Sequence, residues 1–328
     1  MSTPSQLSPI YILFCVDNRY LRQAGVALAS ILEANPRTPI AVTIAALNRD
    51  QARSDVIFGP LLARNPDCRL TFRDLAPDLF VGLPVTEHFS QSIYARIVFD
   101  RFLDPRCERV LYLDADTVVR ADLRPLWATP LDGAILAAAR DPFRLDPEAI
   151  GFGPDEPYFN SGVLLIDRAR WRAEDCERRV LDYLAKEGRR LPWIDQDALN
   201  VILRGQVRFI GLEWNYQPRC ADVPPAFLGL NDTEYAALRA WPKLVHYTTS
   251  LKPWNAAYQV HYSRLFLTAA ARAGLAFDLK PTRARTLGQR RLQAQTWLRW
   301  HFPRAFRAIR GLLRPKAAAL MYRAGPNP

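Results

Sequence analysis

Val110-Leu-Tyr-Leu-Asp114-Ala-Asp116 is the stretch on which the reading of this chain turns. Four apolar residues of strand character run into two carboxylates one residue apart. On a strand, residues two apart share a side, so Asp114 and Asp116 can converge while Ala115 points away. In open α/β sheets ligands bind beyond the carboxyl ends of the strands, where this pair would sit. Two close carboxylates repel unless a cation lies between them, and hard ions such as Mg²⁺ or Mn²⁺ suit such ligands. A cation held there can grip a diphosphate and stabilise its charge as it leaves. Taken alone, the same pattern is equally compatible with a solvated strand end.

The segments upstream alternate. Residues 10–16 form a continuous apolar run, as in a strand of a parallel sheet buried on both faces. Helical spacing over 24–34 stops before Pro36. A strand is expected over 40–47, a helix over 49–64, a strand over 69–75, a helix over 92–103 and the strand 109–113. This βαβαβαβ order argues for an open, doubly wound α/β fold. Beyond it, strands are expected over 133–139 and 162–167, separated by a Pro-, Asp- and Gly-rich loop. Loops of roughly twenty residues, as here, are usually functional lids or disordered. A long polar helix over 168–187, a short one over 197–203, and strands over 206–212 and 243–247 complete the reading.

Three further stretches offer polar chemistry. Leu244-Val-His246-Tyr closes an apolar strand with one of only four histidines and is followed by Lys252-Pro-Trp254. An imidazole is a plausible third ligand beside two carboxylates, and Lys252 a point charge for phosphate. A lone buried histidine more commonly just hydrogen-bonds in the core. Tyr158-Phe-Asn160-Ser-Gly162 presents amide and hydroxyl groups suited to sugar hydroxyls, with a glycine that permits close approach, although an ordinary turn into a strand would read the same. In Ile194-Asp195-Gln196-Asp197, Asp195 could be an N-cap, and on one helix Asp195 and Asp197 would face different ways.

Composition narrows the class. The 328 residues carry a formal charge of +11 and are 49% hydrophobic, enough for a sizeable core. Twelve of the 44 Lys and Arg, and none of the 33 acidic residues, fall in 279–328, so the preceding 278 residues are nearly neutral. In that tail Leu298, Phe302, Phe306, Ile309 and Leu313 recur at helical spacing, opposite Arg299, Arg307, Arg310 and Arg314. An amphipathic basic helix of this kind, with Trp297 and Trp300, suits an anionic membrane surface; packing on the body is the alternative. A nucleic-acid partner fits less well, because the body lacks basic residues interleaved with aromatics. Five scattered cysteines without C-x-x-C spacing read as buried thiols in a reducing compartment. No signal peptide and no long apolar span is visible, so a cytoplasmic protein, peripheral on the inner face of the membrane, is expected. No G-x-G-x-x-G or Walker A motif supports dinucleotide or ATP chemistry.

Six stretches occur together in one order: Phe14-Cys-Val-Asp17, Ser92-Ile-Tyr-Ala-Arg96, Leu111-Tyr-Leu-Asp114-Ala-Asp116, Phe159-Asn160-Ser-Gly162, Asp195-Gln196-Asp197-Ala-Leu-Asn200, and His246-Tyr-Thr-Thr-Ser-Leu-Lys252-Pro-Trp254. The combination resembles the family 8 glycosyltransferases, retaining enzymes of the GT-A fold, and most of all the bacterial lipooligosaccharide galactosyl- and glucosyltransferases. The resemblance runs from about residue 10 to 254. It implies a Rossmann-like mixed sheet flanked by helices, a GT-A domain over 1–279 and a basic amphipathic tail over 280–328.

By the same resemblance, Asp114, Asp116 and His246 would hold Mn²⁺, or Mg²⁺, on the diphosphate of UDP-galactose or UDP-glucose. Asp17, Arg96, Asp114, Ala115, Asn160, Asp195 and Lys252 would contact the donor, with Asp17 toward uracil and ribose. Gln196 would lie on the sugar face opposite the leaving UDP, with Asp195 the second candidate for a catalytic role there. Asp141 would contact the acceptor, a glycan or lipid-linked glycan. Two positions depart from the family pattern: Arg19 stands where Asn is usual, and Thr249 where Gly or Ser is usual. A metal-dependent phosphohydrolase using Asp114 and Asp116 is the competing enzyme class.

Overall fold

The computed structural model describes residues 8–279 except 77, 85–90, 144–146, 154, 250–251, 256–259 and 278. The tail over 280–328 lies outside the described residues. Nine strands and eight α-helices are found among those described, in the order β1 (Ile10–Asp17), α1 (Leu21–Ala34), β2 (Ile40–Leu47), α2 (Gln51–Arg64), β3 (Cys68–Leu75), β4 (Arg109–Leu113), β5 (Thr117–Val119), α3 (Arg124–Trp127), β6 (Leu136–Arg140), β7 (Phe159–Asp167), α4 (Arg168–Ala173), α5 (Cys176–Glu187), α6 (Ile194–Ile202), β8 (Val207–Ile210), α7 (Asp232–Ala240), β9 (Leu244–His246) and α8 (Ser263–Arg272). No helix among them is long and apolar enough to cross a membrane.

Seven strands form one sheet in the order β3-β2-β1-β4-β7-β6-β8, and β5 pairs with β9 in a second, two-stranded sheet. The β1–β2, β2–β3 and β1–β4 pairs are parallel, as the alternating pattern requires. The sheet is nonetheless mixed, because β7 runs antiparallel to both β4 and β6. The chain leaves β1 toward β2 and β3 on one side and returns to β4 on the other. The crevice between the ends of β1 and β4 is therefore the topological switch point.

The central strands are apolar throughout because both faces are covered. One core joins β1 and β2 side chains such as Ile12 and Ile44 to α1, α2 and α8, and the other joins Leu13, Tyr112 and Leu164 to α5 and α6. Gly25 is a packing residue: a Cβ there would lie 2.5 Å from Ile57 Cγ2 and 2.8 Å from Leu275 Cδ1, so only glycine lets α1, α2 and the segment after α8 meet this closely. Buried polar groups tie α1 to the chain beyond β4. Ser30 Oγ accepts from Val119 N at 3.0 Å, and Asn35 Oδ1 accepts from Leu123 N at 2.7 Å. Buried Arg168 pins the segment before β4 to α4, donating to Asp100 Oδ1 at 2.6 Å and to the carbonyl of Asp104 at 2.7 Å.

Three local expectations are corrected. The helix expected over 92–103 is two 3₁₀ turns, Gln91–Arg96 and Phe99–Arg101. Residues 94–99 are all buried, including Arg96, so the segment has no solvent face to sustain an amphipathic helix. The helix expected over 168–187 breaks at Asp175, whose φ of 50° is left-handed. The helix expected from 197 begins at Ile194, one turn earlier. Strand β5 is too short to carry a periodic signal, and α7 and α8 were not anticipated.

Candidate active site

β4 ends at Leu113, so Asp114 and Asp116 lie in the turn between β4 and β5 rather than on a strand. They converge all the same, and the reason is the second sheet. Thr117 pairs with His246 across β5 and β9, which turns the histidine back toward the two aspartates. His246 Nε2 lies 3.4 Å from Asp114 Oδ2 and 3.3 Å from Asp116 Oδ1. One ligand atom from each of the three residues falls within 4.8 Å of the others.

The antiparallel course of β7 completes the site. Its first residues, not its last, reach the carboxyl end of β4, where Asp114 N donates to the Gly162 carbonyl at 2.8 Å. A Cβ on Gly162 would lie 2.1 Å from His246 Cε1 and 2.7 Å from Asp114 Oδ2. The glycine is needed for space, not for an unusual backbone angle.

Two cations oppose the acidic pair. Lys252 Nζ donates to Asp116 Oδ2 and to the Tyr247 carbonyl, both at 2.5 Å. Arg96 is buried over the Tyr112 ring, donates to Asp114 Oδ1 at 3.0 Å and to the Ser161 carbonyl at 3.1 Å, and lies 3.3 Å from Asp195 Oδ2. Burial penalises the charge on Asp114, but Arg96 and His246 outweigh it and hold its carboxyl below the usual range. Lys252 and His246 do the same for Asp116. Asp195 differs. Burial pushes its carboxyl up to about 6, Arg96 only partly opposing, and Oδ2 has no hydrogen-bond donor among the described residues.

Gln196 sits at the centre of a saturated amide network. Its Oε1 accepts from Ser161 N at 3.0 Å and Asn160 Nδ2 at 3.1 Å, and its Nε2 donates to Tyr158 Oη at 3.1 Å and Asp141 Oδ2 at 3.2 Å. Asp141 is buried and also accepts from Asn160, Gln217 and Phe143 N. On α6, Asp195 turns toward Arg96 while Asp197 turns the other way, accepting from Tyr158 Oη and Trp193 N at 2.5 and 2.7 Å. Neither is the N-cap, which is Trp193.

With this geometry, the chain matches the family model for glycosyl transferase family 8 over residues 11–257. The chain belongs to that family. It is 28% identical over 251 residues to lipopolysaccharide 1,2-glucosyltransferase of Escherichia coli, covering 74% of this chain and 72% of that one. It is 26% identical over 269 residues to lipopolysaccharide 1,3-galactosyltransferase of Salmonella typhimurium, covering 79% and 77%. Among solved structures it resembles the galactosyltransferase LgtC in complex with donor and acceptor sugar analogs, with a TM-score of 0.70, 29% identity, and coverage of 80% of this chain and 96% of that one. The chain is thus a glycosyltransferase with the mixed-sheet fold of LgtC.

The structure brings Arg96, Asp114, Ala115, Asp116, Asn160, Asp195, Gln196, His246 and Lys252 to one crevice, with Asp141 behind Asn160 and Gln196. Asp17 lies at the end of β1 beside it, but its carboxylate is occupied locally. It accepts from the backbone of Arg19 and Tyr20 and pairs with the Arg19 guanidinium at 2.8 Å. The departure at Arg19 thus places a guanidinium against the carboxylate expected to serve the nucleotide.

Sequence reasoning missed Asn215 and Gln217. Asn215 Oδ1 faces His246 Nδ1 at 2.9 Å, while its Nδ2 donates to Asn160 Oδ1 at 2.9 Å. That orientation keeps the proton on Nδ1 and directs Nε2 at the carboxylates, as a metal-binding histidine requires. Both residues lie in the stretch Trp214-Asn215-Tyr216-Gln217, where two amides alternate with two aromatics and no charge draws notice.

The donor set fits a hard divalent ion: two carboxylates and one oriented imidazole around a space that only glycine leaves open. Burial disfavours the imidazolium of His246, but the aspartates outweigh burial and raise its pKa to about 9 in the metal-free protein. The contribution of this proton to stability is therefore full below about 6.5 and is lost as pH rises through about 9. Metal binding must displace the same proton. The affinity for Mn²⁺, titrated calorimetrically, is expected to rise about tenfold per pH unit between pH 7 and 8 with release of one proton. Gly162→Ala should weaken binding by about tenfold or more while leaving the circular dichroism spectrum unchanged. A pH-independent affinity, or an unaffected alanine variant, would contradict this site.

Proposed function

We propose that this glycosyltransferase is a retaining, metal-dependent hexosyltransferase. It would move galactose or glucose from a UDP-sugar to a glycan acceptor in lipopolysaccharide or other cell-surface glycan assembly. The observation that carries the reading is the convergence of Asp114, Asp116 and His246 at the β1/β4 switch point, with Lys252 bonded to Asp116. The names of the two relatives and the bound sugars of LgtC support the sugar and acceptor classes. The phosphohydrolase and nucleic-acid readings have no comparable support.

Mn²⁺ bound by the three ligands would supply positive charge to the diphosphate as it leaves. Lys252 adds a second positive charge beside it, and the pairing with Asp116 keeps that ammonium at the same edge of the crevice. Arg96 ties Asp114 and Asp195 into one rigid unit, so the donor sugar would meet a fixed wall. Asp195 Oδ2, buried beside Arg96 and without a hydrogen-bond donor among the described residues, would accept from a sugar hydroxyl.

Retention can arise by a covalent intermediate or by front-face attack. Gln196 is neutral, and both ends of its amide are hydrogen-bonded, so it is held as a wall of the site rather than freed as a nucleophile. This favours front-face attack, with a diphosphate oxygen assisting removal of the acceptor proton. An active-site glutamine-to-glutamate mutant of LgtC, 28% identical to this chain with a TM-score of 0.70, places a glutamine at the active site of that enzyme. Asp195 is the remaining carboxylate near the sugar.

UDP release from UDP-galactose and UDP-glucose, followed with Mn²⁺ and with EDTA, tests the reading. Wild-type protein should release UDP slowly from one donor only when metal is present, and Asp116→Ala should be slower by about 100-fold or more. Release that persists undiminished in EDTA or in Asp116→Ala would refute it.

We further propose that the segment 280–328 is a separate attachment element that holds the protein on the inner, cytoplasmic face of the membrane. Twelve basic and no acidic side chains, with an apolar stripe, support this. The full chain should sediment with vesicles containing phosphatidylglycerol and not with pure phosphatidylcholine, and a chain ending at 279 should sediment with neither. Equal behaviour of the two chains would sink the proposal.

A further inference from the structure

Beyond the donor side, one cation stands apart from the groups discussed so far. Arg219 lies in the 3₁₀ turn Pro218–Asp222, directly after Gln217. Its guanidinium carbon sits 3.8 Å from the centroid of the Phe143 ring, two residues beyond Asp141. Its Nε donates to Gln217 Oε1 at 3.1 Å, and that oxygen also accepts from Thr248, two residues beyond His246. The fork is thus clamped between the loop after β6 and the loop after β9, with its plane set by an aromatic face.

Among the described residues this guanidinium makes one ion pair, and it is a long one: Arg219 Nη2 is 3.8 Å from Asp141 Oδ1, too far for a hydrogen bond. Asp141 is already satisfied: Oδ1 accepts from Phe143 N and Gln217, and Oδ2 from Asn160 and Gln196. Two oxygens with four donors have no direction left for Arg219. The terminal nitrogens of Arg219 make no hydrogen bond among the described residues, although the side chain is only 31% exposed. Burial accordingly works against its charge, with Asp141 only partly offsetting it. A half-buried, oriented cation whose terminal N–H groups make no hydrogen bond among the described residues, beside a carboxylate that is already saturated, is suited to an incoming anion.

Its position says which substrate would carry that anion. The donor diphosphate would have its own cations, Lys252 and the metal held by Asp114, Asp116 and His246. Arg219 instead neighbours Asp141, Phe143 and Gln217, and Asp141 accepts from Asn160 and Gln196. We propose that Arg219 is a specificity-determining residue that selects an acceptor glycan bearing an anionic group, a phosphate monoester or a sugar carboxylate, near the hydroxyl that is glycosylated. The inference rests on the transferase reading for the word acceptor, but not for the binding of an anionic sugar.

Direct binding separates the two. A methyl hexoside, its 6-phosphate and the matching methyl glucuronide are titrated calorimetrically into full-length protein loaded with UDP and Mn²⁺. Wild type should bind at least one of the charged sugars about 30-fold tighter than the neutral one, since a hydrogen-bonded charge pair at this burial is worth a factor of that order. Arg219→Gln should collapse that preference to about threefold or less, and Arg219→Lys should retain part of it. Which charged sugar gains most distinguishes phosphate from carboxylate. No preference in wild type, or a preference that survives in Arg219→Gln, overturns the proposal; so does an equal loss for neutral and charged sugars, which would mark Arg219 as merely structural. Preserved anion selectivity in a protein that shows no metal-dependent UDP release would overturn the metal-dependent hexosyltransferase reading and leave this one standing.

Discussion

Two carboxylates placed side by side at the buried end of a central strand must be neutralised, and much of this molecule is arranged to do so. Asp114 and Asp116 are held ionised by Arg96, Lys252 and His246, each delivered by a different part of the chain. Arg96 comes from the 3₁₀ turn before β4, His246 from the small second sheet, and Lys252 from the loop after it. None of these segments is fixed by local propensity alone. Buried charges without partners cost several kcal/mol each, so the folded body must bring all of them in together. That constraint explains a two-stranded sheet of only three residues per strand at the crevice: its role is to carry Thr117 and His246 into register.

A second layer of uncharged polar groups stands behind the charges. Asn215 orients His246 and Asn160, Asn160 and Gln196 share Asp141, and Gln196 reaches Tyr158 and through it Asp197. Every amide in this chain of contacts uses both of its ends. Fully satisfied networks of this kind are rigid.

The parallel half of the fold was legible because its strands are buried on both faces and therefore read as unbroken apolar runs, as at 10–16 and 40–47. The antiparallel insertion of β7 was not legible from periodicity, since an apolar strand carries no mark of its direction; only the resemblance to the family implied a mixed sheet. The aspartates were identified for a partly mistaken reason. Strand alternation does not extend past Leu113, and their convergence depends on a turn and on a partner about 130 residues away in sequence, a contact no local pattern encodes. Arg96 was found, but the helix assigned to it was not, because the burial that makes it useful removes the amphipathic signal. Asn215, Gln217 and Arg219 lie where short 3₁₀ turns give no period to read.

The central claim is that Asp114, Asp116 and His246 form one metal centre serving the donor diphosphate. Anomalous scattering at the manganese edge, from crystals of the full-length protein grown with UDP and Mn²⁺, tests it most directly. We expect a single strong peak bonded to all three side chains and to the UDP phosphates, with Lys252 beside it. A peak elsewhere, or UDP bound in the crevice with no manganese at these three residues, would contradict it.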